Sequence, residues 1–277
     1  KKFCSWVAPF VLCTANIAMG QFDIQSFDPT SEGPWSDIES TTLVVPQVLD
    51  GSVNIDGRTS SAEYGGFQGV TVTPGENAWI LDFPGDRDWD DADDSSFTFH
   101  LAHDTNFLYM AFDVKDDVVN SDDDNNAFWK DDTIEIVTDV FNDNYDNNTD
   151  NSMDPYGGHA YINYEGRFSG WDDENDVLGP GAARWSTEVD YTYGDGEDDD
   201  IWGFGQEVEG GWTMEVRFAK RLFESEEIGN QLVEGERMGL NFILDDDDQT
   251  GPGLNGTGAR TQDLEIQYAW ANRLRAE

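Results

Sequence analysis

Acidic and amide side chains carry most of the chemistry this sequence offers. Between Asp122 and Asp132 a bare aromatic pair, Phe128 and Trp129, is wedged among aspartates. A flat apolar ring beside carboxylates is how proteins grip sugars. The C–H face of a pyranose packs on the indole, and carboxylates or amides accept its hydroxyl hydrogens. Trp129 would serve as well to cap the end of a hydrophobic core, and local sequence leaves both readings open. A second pattern is the recurrence of oxygen-bearing residues at every other position: Asn142, Asn144, Asp146, Asn148 and Asp150. That spacing turns ligands toward one point, as the start of an EF-hand loop does, although the turn glycine and the closing glutamate are missing. The run led by Asp245 and Asp246 is a further candidate. Asp116 and Asp117 close another strand, and 198–200 reads as a solvated loop. The ion these groups suit is calcium; the competing reading is repulsion relieved by sodium and water.

Catalytic patterns are poor. The three histidines lack metal-ligand spacing, and His100 and His103 fall on opposite faces of one expected strand. No G-x-S-x-G elbow occurs. A glycosidase needs two carboxylates at a set separation, but with 58 acidic residues, 39 of them Asp, any pairing is uninformative. A net charge of -43 repels nucleic acid and anionic membranes, whose affinity for proteins comes from Lys and Arg. Calcium sites and a hydrated surface suited to a saline medium both explain such acidity, and they are compatible.

The elements that must position these groups are strands. Apolar residues alternate in 97–101, 108–114, 134–140, 160–164, 212–218, 238–244 and 264–270, a period of two that puts one face on a core. In 133–140, Ile134, Ile136 and Val140 face inward, and Thr133, Glu135, Val137 and Asp139 face outward. His103-Asp104-Thr105-Asn106 reads as a hairpin turn. The one helix candidate, 219–229, is short. Ten Trp, 17 Phe and 9 Tyr argue against disorder. The expected fold is all-β: an antiparallel β-sandwich of immunoglobulin-like or jelly-roll type, with long acidic loop insertions at 142–158 and 171–203.

The first 20 residues have the look of a secretory signal peptide, with Lys1 and Lys2 before an apolar stretch and Ala18-Met19-Gly20 before a cleavage at Gln21. Both cysteines, Cys4 and Cys13, lie inside it. A mature product without thiols excludes disulfides and Cys-based zinc sites. No later segment has the ~20 apolar residues of a membrane span. The expected organisation is therefore 1–20 signal peptide, 21–47 N-terminal arm or linker, and 48–277 one β-sandwich domain, exported or held at the cell surface.

Five motifs in order resemble family 9 carbohydrate-binding modules. They are Val53-Asn54-Ile55-Asp56-Gly57 with Glu63-Tyr64, the run from His103 to Asp117, the run from Trp129 to Asp139, Gly211-Trp212-Thr213-Met214-Glu215-Val216, and Met238-Gly239-Leu240-Asn241-Phe242. The resemblance implies a sandwich that binds calcium, grips sugars between aromatic rings and accompanies polysaccharide-degrading enzymes. It aligns Trp129 with a clamp tryptophan and Glu135 with a hydroxyl-binding glutamate, beside which Asp132 offers another acceptor. A sugar-contacting arginine falls near Tyr161, and a glutamine near Ile243. The second clamp ring has no counterpart after Trp270; Trp171, Trp185 or Trp202 would have to supply it. The expectation is a non-catalytic protein that binds poly- or oligosaccharide through Trp129, Glu135, Tyr161 and Asp132, stabilised by Ca2+. A structural or adhesive surface protein that self-assembles through its acidic loops is the alternative. A haem module using Met110 or Met214 is disfavoured, because both lie on expected core faces.

Overall fold

In a computed structural model the chain is described at residues 21–25, 42–74, 76–80, 91–120, 132–139, 158–164, 168–170, 191–193, 201–222, 237–247 and 266–270. Fourteen strands form there: β1 (Gln21–Gln25), β2 (Thr42–Pro46), β3 (Val70–Val72), β4 (Trp79–Ile80), β5 (Ser95–His103), β6 (Phe107–Asp116), β7 (Thr133–Asp139), β8 (Gly158–Ile162), β9 (Phe168–Gly170), β10 (Tyr191–Tyr193), β11 (Ile201–Val208), β12 (Gly211–Ala219), β13 (Arg237–Asp246) and β14 (Ile266–Ala269). Sheet A runs β2-β1-β13-β7-β8-β9, with β14 also paired to β13 and β4 paired to β14. Sheet B runs β10-β11-β12-β6-β5-β3. Most pairings are antiparallel; β1 with β13 and β10 with β11 are parallel.

The alternation seen in the sequence becomes two inward faces. Phe97, Phe99, Leu101, Met110, Phe112, Met214 and Val216 from sheet B meet Ile134, Ile136, Ile162, Leu240, Phe242 and Leu244 from sheet A in one buried cluster. Phe242 is its hub, with ring centroids 4.8 Å from Phe99 and 4.9 Å from Phe112. Burial of such rings supplies the largest favourable contribution to closing the sheets.

Two expectations are corrected here. Within 21–47, read as an arm or linker, Gln21–Gln25 and Thr42–Pro46 form β1 and β2 of sheet A, β1 pairing with β13 and β2 with β1; the alternation of Phe22 and Ile24 with polar neighbours in β1 is a short strand signal, and 26–41 lies outside the described residues. The helix candidate at 219–229 gives a single 3-10 turn at Lys220–Leu222, and 223–229 lies outside the described residues.

Tight turns set the register. Asp104 is buried at the β5–β6 turn, where its Oδ1 accepts from the backbone N–H of Asn106 at 2.7 Å and of Phe107 at 2.8 Å. Its Oδ2 accepts from the Tyr109 hydroxyl at 2.6 Å and from Gly51 N–H at 3.3 Å. The β11–β12 turn needs glycine: Gly211 has φ +138, and a Cβ there would lie 2.0 Å from the carbonyl oxygen of Val114. Because Asp104→Ala strips four donors of their acceptor and Tyr109→Phe only removes one donor, denaturant unfolding should show losses of about 2–4 and about 1 kcal/mol respectively. Equal losses would show that Asp104 contributes nothing beyond its bond to Tyr109.

Candidate functional site

Strand parity generates one concentration of charge. On β6 the inward positions run Phe112, Val114, Asp116; on β13 they run Phe242, Leu244, Asp246; ahead of β7, Asp132 is the inward position before Ile134 and Ile136. Each apolar row therefore ends in an aspartate at the same end of the sandwich. Asp116 comes from sheet B, whereas Asp132 and Asp246 belong to sheet A. Carboxylate oxygens of the three lie within 4.8 Å of one another, and the residues are only 1%, 1% and 2% exposed.

Hydrogen bonds fix this arrangement. Asp132 accepts through Oδ2 from Asn120 N–H and through Oδ1 from Asp247 N–H at 2.8 Å. Asp132 N–H in turn donates to Asn120 O at 3.1 Å. The Asn120 side-chain amide donates to Asp247 at 3.3 Å, and Asp116 accepts from Val118 N–H at 2.8 Å. Residues 120 and 132 are thus tied together. Burial, followed by the charges of Asp116 and Asp246, holds the Asp132 carboxyl well above the ordinary carboxylate range. Burial also pushes up the nearby Tyr268 hydroxyl, and Asp246 and Asp116 add to that shift. Converging buried carboxylates repel one another unless a proton or a cation neutralises them. Three hard oxygen donors, with neither thiolate nor imidazole among them, fit Ca2+.

The outer face of sheet A carries the other candidate residues. Register aligns Tyr161 with Glu135, Glu135 with Ile243, and Ile243 with Ala269. Opposed residues in antiparallel strands share a face, so Glu135 and Tyr161 are neighbours on the side away from the main core. The same pairing puts position 79, a tryptophan, opposite Ala269, a placement the sequence reading passed over. Glu135 and Tyr161 are each only 4% exposed, and Ile243, Val137 and Ala269 form a small buried apolar cluster beside them. Both side chains are therefore covered on that face and do not form an open platform.

Of the residues singled out in the sequence, Asp246 and Asp132 meet in the carboxylate cluster, so Asp132 has a metal-type environment as well as a place one residue before β7. Asp245 is buried on the outer face, opposite Thr133. Glu135 and Tyr161 come together. Trp129, Asn144, Asp146, Asn148 and Asp150 lie outside the described residues, as do Trp171 and Trp185. Trp202 is on β11 in sheet B and packs over Arg217, whose guanidinium carbon is 4.7 Å from its ring. In the sequence Asp116 reads only as a strand end. The signal that finds it is the apolar i, i+2 row continuing into Asp on three strands.

The family model described as carbohydrate family 9 binding domain-like matches residues 55–268. Two solved structures from Caldicellulosiruptor kristjanssonii are similar, both titled a carbohydrate binding module family 9. The one in complex with cellotriose has 17% identity, covers 81% of this chain and 83% of its own, and has a TM-score of 0.45. The one in complex with glucose has 18% identity, covers 83% and 99%, and has a TM-score of 0.45. No curated protein matches the sequence.

Repulsion within the cluster gives a direct test. In chelator, Asp246→Asn removes one of three converging buried charges, so melting should move upward by about 3 °C, on the order of 1 kcal/mol in a domain of this size. A drop in melting temperature would mean that the Asp246 charge is already compensated within the fold.

Proposed function

The chain belongs to the carbohydrate family 9 binding domain-like family, and from that premise we propose that it is an exported protein that binds oligo- or polysaccharide on the outer face of sheet A, with calcium closing the adjacent end of the sandwich. The observation that carries the reading is the pairing of Glu135 with Tyr161 on that face, inside the matched span. Glu135 accepts sugar hydroxyls, and Tyr161 donates or stacks. Trp129, six residues before Glu135 in the chain, supplies the apolar ring, and a pyranose buries its C–H face against it. Export is supported by the leader-like first 20 residues and by a sequence whose cysteines all lie within them.

Asp116, Asp132 and Asp246 would hold the calcium ion. Bound there, it supplies countercharge to the buried carboxylates. The residues themselves do the positioning: Asp132 ties to Asn120, which follows β6 of sheet B, and to Asp247, which follows β13 of sheet A.

Calorimetric titration with glucose and cellotriose tests the ligand class. The wild-type chain should bind at least one. Glu135→Ala should weaken that binding about 10- to 100-fold, the worth of a charged hydrogen bond. Trp129→Ala should weaken it about tenfold, through lost ring contact and burial. Affinities unchanged in both variants would rule out this site, and a wild-type protein that gives no heat with either sugar speaks against the ligand class.

Calcium is checked by melting. Millimolar Ca2+ should raise the wild-type melting temperature by several degrees, roughly 2–4 °C for each kcal/mol of linkage. The Asp116→Asn, Asp132→Asn double variant should not respond. Equal shifts in both proteins would move the ion elsewhere.

A further inference from the structure

A segment at 48–69 crosses the outer face of sheet B, and one side chain anchors it. Glu215, on β12, is 0% exposed. Its Oε2 accepts from three successive backbone N–H groups, those of Asp56 at 2.8 Å, Gly57 at 2.9 Å and Arg58 at 3.3 Å. Its Oε1 accepts from the Tyr64 hydroxyl at 2.9 Å. Other ties run beside it: the Thr213 hydroxyl at 2.6 Å and the Gln206 amide at 3.1 Å both donate to Gly57 O, and the Thr59 hydroxyl donates to Asp113 Oδ2. Tyr64 and Phe67 lie on His100. Detaching Glu215 therefore releases four donors at once, from two separate stretches of the strap.

The ionisable groups around this carboxyl are known from every side. From the strap come Asp56, Arg58, Glu63 and Tyr64, and Glu63 itself accepts from Asn54 N–H at 2.7 Å. From β6 come Tyr109 and Asp113, and from β5 His100, whose Nε2 is 3.9 Å from Asp113. On β12 Arg217 lies two positions away with its guanidinium between the rings of Phe107 and Trp202, at 4.3 and 4.7 Å. The contacts that satisfy Glu215 are thus backbone amides and a phenol.

We propose that Glu215 is a pH-sensitive latch on the strap 53–64, holding it more firmly in mildly acidic than in mildly alkaline solution. With the strap closed, burial pushes the carboxyl up to about 7, against the opposing pull of the amide donors and the Tyr64 hydroxyl. With the strap open, the carboxyl meets water and returns to the ordinary range near 4.5. The closed state therefore binds the extra proton between those two values, and closure weakens as pH rises from 4.5 to about 7. When the proton binds, it sits on Oε1 and reverses the hydrogen bond to Tyr64, whose oxygen then accepts. Oε2 goes on accepting from the three amides.

Hydrogen–deuterium exchange reads the latch directly. After correction for intrinsic rates, protection of the amides of Asp56, Gly57 and Arg58 should fall on the order of 10²-fold between about pH 5 and about pH 8. Core amides of β6 should keep their protection. In Glu215→Gln the strap amides should lose this pH dependence. Should that variant fail to fold, carbon NMR titration of the wild-type side chain decides, with a Glu215 midpoint near 7 expected. Protection that is flat or rises with pH, or a midpoint at or below about 4.5, overturns the proposal.

Discussion

Three carboxylates between two sheets set the terms on which this sandwich closes. The apolar rows that fill the interior do not end in solvent; they end in Asp116, Asp132 and Asp246, nearly inaccessible to water. Charge in that position is costly unless something neutralises it. The cost falls on one end of the molecule, and the hydrogen bonds there are drawn in around it. Asp132 is tied to Asn120 and Asp247, and through them strand ends of both sheets are held in one network. A divalent cation held there would neutralise the cluster and link sheet A to sheet B.

The acidity of the chain thus has an internal use as well as a surface one. Asp104, Asp132 and Glu215 are buried, and each organises backbone by accepting from N–H groups that would otherwise lack partners. A carboxylate, with two oxygens and about four acceptor positions, is well suited to gather several amides at a turn or under a strap. This accounts for motifs far apart in sequence. Val53-Asn54-Ile55-Asp56-Gly57, Glu63-Tyr64 and Gly211-Trp212-Thr213-Met214-Glu215 are parts of one lock on the outer face of sheet B, while the His103–Tyr109 run is a self-contained turn.

Period-two alternation made the strands legible, because each inward face had to be apolar: Phe97, Phe99 and Leu101, or Leu240, Phe242 and Leu244. The β5–β6 turn was legible from its Asp-Thr-Asn chemistry. Position of charge was harder to read. Asp116, Asp132 and Asp246 were visible as residues, but the aspartates crowd so many loops that only strand parity shows these three to be inward. Glu135 was expected to face away from the core and does. Its near-complete burial on that side was not foreseeable, since it depends on what else lies over sheet A. Strand β1 carries the same alternation, Phe22 and Ile24 between Gln21, Asp23 and Gln25, but five residues followed by a polar, proline-bearing stretch are too short a run to separate from an arm, and β2 is held through β1.

The most direct measurement is a crystal structure grown with calcium, with anomalous data collected to locate the ion. The account predicts a single strong peak between Asp116, Asp132 and Asp246, with carboxylate oxygens at about 2.3–2.6 Å. Calcium found only at other positions, with water alone between these aspartates, would contradict it.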